Sequence, residues 1–118
     1  MSSALPKLLV VEDEYFIATE LAQILRESNF EVLGPVSSIG DAMCIVDSEK
    51  IDGAVLDLNL DGELTFELAR MLQERGIPIV IVTGYDRHYV PDELGDVPVF
   101  RKPFVATELE EALSRLRI

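Results

Sequence analysis

The stretch Gly53-Ala54-Val55-Leu56-Asp57-Leu58-Asn59-Leu60 restricts what this chain can fold into more than any other. Its apolar run lacks polar alternation, which suits a strand covered on both faces and therefore a sheet with helices on each side. Asp57 interrupts the run near its carboxyl end. A charge at the end of a core strand costs on the order of several kcal/mol in desolvation unless something pairs with it. The sequence offers an acidic cluster at Glu12, Asp13 and Glu14, a hydroxyl at Thr83 and an ammonium at Lys102. Each follows or closes another predicted strand, so parallel strands lying side by side would gather all of them at one sheet edge.

The other elements fit that arrangement. Lys7–Val11 reads as a short buried strand, and from Tyr15 the spacing changes to Ile17, Leu21, Ile24 and Leu25, one face of a helix running to about Ser28. Glu31–Val36 is a second strand closed by Gly34-Pro35, and Ser38 ahead of Asp41 predicts a capped second helix with Ala42, Ile45 and Val46 inward. After the Asp57 strand and a turn at Asp61-Gly62, a third helix is expected with Leu64, Leu68, Met71 and Leu72 on one face and Gly76 as its terminator. Ile79–Thr83 is a β-branched central strand, and Tyr85 to Asp96 has too little periodicity for more than a short or irregular helix. Val97–Arg101 predicts an edge strand, and Thr107 ahead of Glu110 predicts a capping box for a last helix lined by Leu109, Ala112, Leu113 and Leu116.

This is a βα alternation repeated five times, the pattern of a doubly wound α/β fold. The 118 residues accommodate one domain, 1–118, with no output domain visible. Ligands of such sheets bind beyond the carboxyl ends of the strands, where strand order reverses. Net charge of −12 opposes nucleic acid and anionic membrane and favours basic or apolar protein partners and metal cations. The residues from Met1 to Lys7 form no secretory signal, and a single cysteine, Cys44, forms no internal disulfide, so a cytoplasmic protein is expected.

A flavodoxin-like phosphate site would call for hydroxyls and backbone donors after the first strand, where this chain has three acids. Two unit charges 4 Å apart repel by about 4 kcal/mol at an effective dielectric near 20, so Glu12, Asp13 and Asp57 together call for a cation. Oxygen-only donors suit Mg²⁺, which takes one or two carboxylates and keeps waters. With that charge and Lys102 as neutralisers and Thr83 as donor, Asp57 could attack phosphorus.

The set Glu12-Asp13, Asp57, Thr83 and Lys102-Pro103-Phe104 resembles the receiver domain of bacterial two-component response regulators across essentially the whole chain. The resemblance implies a flavodoxin-like five-stranded sheet of order 2-1-3-4-5. It also implies phosphoryl transfer to Asp57 from a histidine kinase or histidine phosphotransferase, with Thr83 and Lys102 contacting phosphoryl oxygens. Mg²⁺ would be held by Asp13, Asp57, the main-chain carbonyl of Asn59, and Glu12 directly or through water. The Lys102-Pro103 bond is expected to be cis. The domain would phosphorylate and dephosphorylate itself without being an enzyme in the usual sense, and signal to an unknown downstream protein.

The resemblance is incomplete at one place. Most receivers carry an aromatic residue three positions before the lysine, where this chain has Val99, and strand alternation puts Phe100 on the other face. Ile81-Val82-Thr83-Gly84-Tyr85 instead looks like the Phe-Ala-Thr-Gly-Gly or Phe-Ala-Thr-Gly-Tyr stretch of a divergent receiver subgroup, making Gly84 and Tyr85 the switch candidates within the loop from Gly84 to Asp96. His88 reads as a solvated loop residue, Cys44 as an incidental helix residue, and Glu108, Glu110 and Glu111 as the outer face of the last helix. Two other readings remain. A haloacid-dehalogenase-type phosphatase would place its nucleophile in the first strand with a second aspartate two residues on, where this chain has Asn59. A receiver-like interaction module would bind partners without taking phosphate.

Overall fold

The apolar residues of the first strand alternate between two cores, and the rest of the architecture follows from covering both. In the computed structural model, residues 5–85 and 87–116 are described, in the order β1 (Lys7–Val11), α1 (Tyr15–Glu27), β2 (Glu31–Val36), α2 (Ile39–Ser48), β3 (Gly53–Leu56), β4 (Asn59–Leu60), β5 (Glu63–Leu64), α3 (Phe66–Glu74), β6 (Ile79–Thr83), β7 (Val99–Arg101) and α4 (Ala106–Ser114). Leu8 and Val10 join Val55, Val80 and Val82 against Leu21, Ile24 and Leu25 of α1 and Leu109 and Leu113 of α4. Leu9 and Val11 join Ala54, Leu56, Ile79 and Ile81 against Ala42 and Val46 of α2 and Leu68, Ala69 and Leu72 of α3. Each large side chain fully buried in this way contributes about 1.5–3 kcal/mol.

Five parallel strands run in the order β2-β1-β3-β6-β7, which is 2-1-3-4-5 once the separate β4–β5 hairpin is set aside. The chain leaves β1 for β2 and then crosses back to β3, so the reversal of direction opens a crevice at the carboxyl ends of β1 and β3. Asp57 follows β3 at that point.

Local chemistry sets the element ends. Asp41 N–H donates to Ser38 Oγ at 3.1 Å, capping α2. Past α3, Gly76 adopts φ 76°, its N–H bonded to Gln73 O and that of Ile77 to Leu72 O, a Schellman closure. Asn29 closes α1 in the same way at φ 69°, with Phe30 N–H returning to Leu25 O.

Three expectations are corrected. Leu64 lies in β5 and is half exposed, not on the face of α3, because Asp61 and Gly62, both at positive φ, turn the chain into a hairpin first. The Thr107 capping box does not form. Val105 occupies the N-cap without a side-chain bond, and Thr107 falls inside the first turn of α4. The last strand begins at Val99, two residues later than the sequence suggested, although Pro98 O still accepts from Ile81 N–H. Between β6 and β7, where the sequence allowed no more than a short or irregular helix, two 3₁₀ turns form, Arg87–Tyr89 and Asp92–Leu94, so four α-helices occur among the described residues. Asp86, within the candidate switch loop, lies outside the described residues.

Candidate functional site

Parallel pairing carries Glu12, Asp57 and Lys102 one step past their strands, and Thr83 closes its own. Asp57 N–H donates to Val11 O at 2.9 Å, Lys102 N–H to Thr83 O at 2.8 Å, and Glu12 N–H to Val36 O at 2.9 Å. The backbone of the sheet edge is therefore fixed by the ladder itself, and the side chains are brought together above it. Lys102 Nζ donates to Asp57 Oδ2 at 2.8 Å and to Glu14 Oε2 at 3.0 Å. It also lies 2.8 Å from Glu12 Oε1, an ion pair whose angles are not those of a hydrogen bond. The Lys102–Pro103 bond is cis. Thr83 is fully buried, and its Oγ1 accepts from Tyr85 N–H at 3.3 Å.

Glu12, Asp13 and Asp57 each offer a carboxylate oxygen, and these atoms lie within 4.8 Å of one another. Burial pushes the Glu12 carboxyl up to about 7, with the neighbouring Asp57 charge adding to the effect, while Lys102 and the Glu14 N–H pull the other way. Burial also opposes the Lys102 ammonium, but its close contacts with the Asp57, Glu12 and Glu14 carboxylates outweigh that and hold its pKa above the ordinary lysine value. Glu12 Oε1 is buried without a hydrogen-bond donor. A hard cation fits such a place, because three clustered carboxylates and an orphaned oxygen are the donor chemistry that Mg²⁺ selects. An open crevice of about 470 Å³ lies above, lined by Asp13, Glu14, Asp57, Asn59, Thr83, Tyr85 and Lys102 among others.

The sequence profile of the response regulator receiver domain matches residues 8–114. The chain belongs to this receiver family. Among solved structures, SdrG from Sphingomonas melonis Fr1 superposes with a TM-score of 0.82 at 37% identity, covering 96% of this chain and 97% of that one. Curated relatives include the sensory transduction protein LytR of Streptococcus agalactiae, 32% identical over 94% of this chain and 48% of its own length. The transcriptional regulatory protein PdtaR of Mycobacterium tuberculosis is 27% identical over 98% of this chain and 60% of its own. The chain thus spans about half the length of the curated relatives it matches. These relatives are bacterial signal-transduction regulators, and receiver domains accept phosphoryl groups from histidine kinases.

In this receiver Val99 packs on the α2/α3 side and Phe100 on the α1/α4 side, so no ring stands on the Val99 face at that strand position. Tyr85 spans the crevice instead. Its hydroxyl accepts from Asn59 Nδ2 at 2.8 Å, and Asn59 Oδ1 in turn accepts from Gly62 N–H at 2.6 Å. Asp57 Oδ1 accepts from Asn59 N–H at 3.2 Å. The other side of the Tyr85 ring borders an apolar cleft of about 250 Å³ formed with Leu58, Leu64, Phe66 and Tyr89. His88 is exposed and stacks on Tyr89 with ring centroids 4.4 Å apart, and Cys44 is free and exposed on α2.

One contributor, and the pairing of another, were not singled out from the sequence. Thr65, fully buried, donates its hydroxyl to Asp57 O at 2.7 Å and its N–H to Leu58 O, pinning the backbone on which Asp57 stands. A polar residue just ahead of a helix signals a cap, but Thr65 makes no capping bond. Glu14 was recognised as part of the acidic cluster, but its pairing with Lys102 across 88 positions leaves no sequence signal.

Proposed function

We propose that Asp57 is the phosphoacceptor of a two-component phosphorelay. The observation that carries this reading is the bond between Lys102 Nζ and Asp57 Oδ2 at 2.8 Å, set beside the Glu12–Asp13–Asp57 carboxylate cluster. An Asp57 oxygen forms a bond to phosphorus as the bond from phosphorus to the partner's histidine nitrogen breaks, the electron pair leaving with the imidazole. Lys102, kept protonated, offsets charge on the transferring oxygens, and the Thr83 hydroxyl donates to one of them. Glu12, Asp13, Asp57 and the carbonyl of Asn59 would hold Mg²⁺, which when bound supplies the positive charge that lets an anion approach this acidic edge.

The donor is a histidine kinase or histidine phosphotransferase, and small phosphodonors serve for self-phosphorylation. Output is altered protein binding, carried by Tyr85 and the loop from Gly84 to Asp96 through a change of order in the manner of the Phe-Ala-Thr-Gly-Gly/Tyr receivers. A solution structure of SdrG in a BeF₃-activated conformation, 36% identical with a TM-score of 0.79, makes beryllium fluoride a suitable probe of that change. Loop spectra unchanged by that mimic would refute the loop's role. The charge of −12 speaks against nucleic acid and anionic membrane as partners, and no helix among the described residues is long and apolar enough to cross a membrane. Phosphatase chemistry of the haloacid-dehalogenase kind is disfavoured because Asn59 has no carboxyl proton to give, its amide being bonded to Tyr85 and Gly62.

The test is intact mass after incubation with acetyl phosphate and Mg²⁺. Wild type should gain one phosphoryl group that is absent in Asp57→Asn and absent when Mg²⁺ is chelated. No gain from acetyl phosphate or from a phosphorylated histidine phosphotransferase would leave a phosphate-independent interaction module as the reading.

A further inference from the structure

Lys102 has three N–H donors and faces three carboxylates. Asp57 Oδ2 and Glu12 Oε1 stand at 2.8 Å and Glu14 Oε2 at 3.0 Å. The three acceptors differ in what holds them. The Glu12 side chain is 0% exposed and that of Asp57 6%, whereas that of Glu14 is 57% exposed. An incoming phosphoryl oxygen meets an ammonium hydrogen-bonded to Asp57 and Glu14 and ion-paired with Glu12, and the carboxylate most easily returned to water is Glu14.

We propose that Glu14 is a positioning residue that occupies Lys102 in the resting state and must release it before Lys102 engages a phosphoryl group, so that it sets the affinity of the site for phosphoryl-like anions. This rests on the phosphoacceptor reading above and deepens it. Glu14 acts only through Lys102, and three further features favour a removable contact. Glu14 stands at the N-cap of α1 without a side-chain capping bond, so replacing it removes no cap. Its N–H bond to Glu12 Oε2 at 3.1 Å belongs to the backbone and survives substitution. It also lines the mouth of the crevice, where an anion enters.

The test is a titration of wild type, Glu14→Gln and Glu14→Asp with beryllium fluoride in saturating Mg²⁺, followed by ¹⁹F NMR at low and high salt. Glu14→Gln should bind about two- to five-fold more tightly than wild type, the range of an exposed ion pair. Glu14→Asp keeps the charge but is one methylene too short to reach Lys102, so it should behave like Glu14→Gln. Both differences should fade at about 1 M salt, where the screening length is near 3 Å. A Glu14→Asp variant that binds like wild type while Glu14→Gln tightens would overturn the proposal in favour of general charge repulsion. Equal binding by all three proteins, or weaker binding by Glu14→Gln, would overturn it outright while leaving the phosphoacceptor reading intact. Failure of wild type to bind at all would overturn both.

Discussion

Lys102→Met is the perturbation whose consequence is most closely fixed by the geometry. It removes the ammonium facing Glu12, Glu14 and Asp57 and leaves an apolar chain of similar length. Removing one partner of a buried ion pair costs about 3–5 kcal/mol. Glu12, with a side chain that is 0% exposed, has a way to limit the damage, because it can take up a proton. Holding a carboxyl of ordinary value 4.5 protonated at pH 7 costs about 3 kcal/mol, which caps the penalty from that group. The sign follows from Glu12 being raised in the folded state, to about 7 with Lys102 present and further without it. Its contribution to stability is fully present below 4.5 and is lost as pH rises through the folded value. Because Glu12 is already about half protonated at pH 7 in wild type, the gap between variant and wild type should widen as pH rises above 7, towards about 3 kcal/mol, should be smaller near pH 5, and should narrow in Mg²⁺. Metal-free wild type should show the same pH trend more weakly. Urea unfolding followed by circular dichroism at several pH values, with Mg²⁺ or with chelator, measures all of this. A loss that is the same at every pH and indifferent to Mg²⁺ would refute the electrostatic account and leave only lost packing.

Other substitutions probe the scaffold around the site. Thr65→Val should cost about 1–3 kcal/mol in urea unfolding by leaving the Asp57 carbonyl without its donor, and should slow phosphorylation from acetyl phosphate as well. Gly34→Ala should destabilise by about 1–3 kcal/mol or more, since φ is 97° and the added Cβ would meet Val36 N at 2.7 Å and Val10 O at 3.0 Å; a melting temperature equal to wild type would contradict this. Tyr85→Phe, which removes only the bond from Asn59 Nδ2 on a partly exposed ring, should change stability by less than about 1.5 kcal/mol yet alter the loop's amide spectrum in the resting state.

The sequence was readable where period and punctuation agree. All five sheet strands are apolar runs closed by acids, glycine, proline or a helix period, and site residues fall where those runs end. Ser38 and Gly76 close their helices as their residue types suggest. Legibility failed where two signals overlap. Leu64 stands four residues before Leu68 and fits the helical period, but Asp61-Gly62 captures it into a hairpin, since a two-residue turn at positive φ pairs its flanks at once. Thr107 matches a capping box two residues too late, because Phe104 and Ala106 pack against the core and bring the helix start forward. Asn29 supplies a left-handed closure that the sequence reading reserved for glycine. Thr65 and Glu14 act through partners that only the fold brings near.

A continuous set of bonds joins the phosphoacceptor to the loop proposed to carry the signal. Asp57 Oδ1 accepts from Asn59 N–H, Asn59 Nδ2 donates to Tyr85 OH, and Tyr85 N–H donates to Thr83 Oγ1. On the proposed reading a phosphoryl group on Asp57 claims the Thr83 hydroxyl proton. A hydroxyl donates and accepts at once, so Thr83 need not release Tyr85 N–H to do so. What would change on that reading is where Thr83 and Asn59 stand, and Tyr85 is tied to Thr83 by its N–H and to Asn59 by its hydroxyl. Its ring also borders the apolar cleft with Tyr89, so a displacement of the ring alters a surface next to the site. On that reading the work that a buried aromatic at the Val99 position would do through packing would fall to an exposed ring tethered by hydrogen bonds. Such a ring is held more weakly, and the bond from Asn59 is worth about 1 kcal/mol, which places the resting and displaced loop within reach of each other.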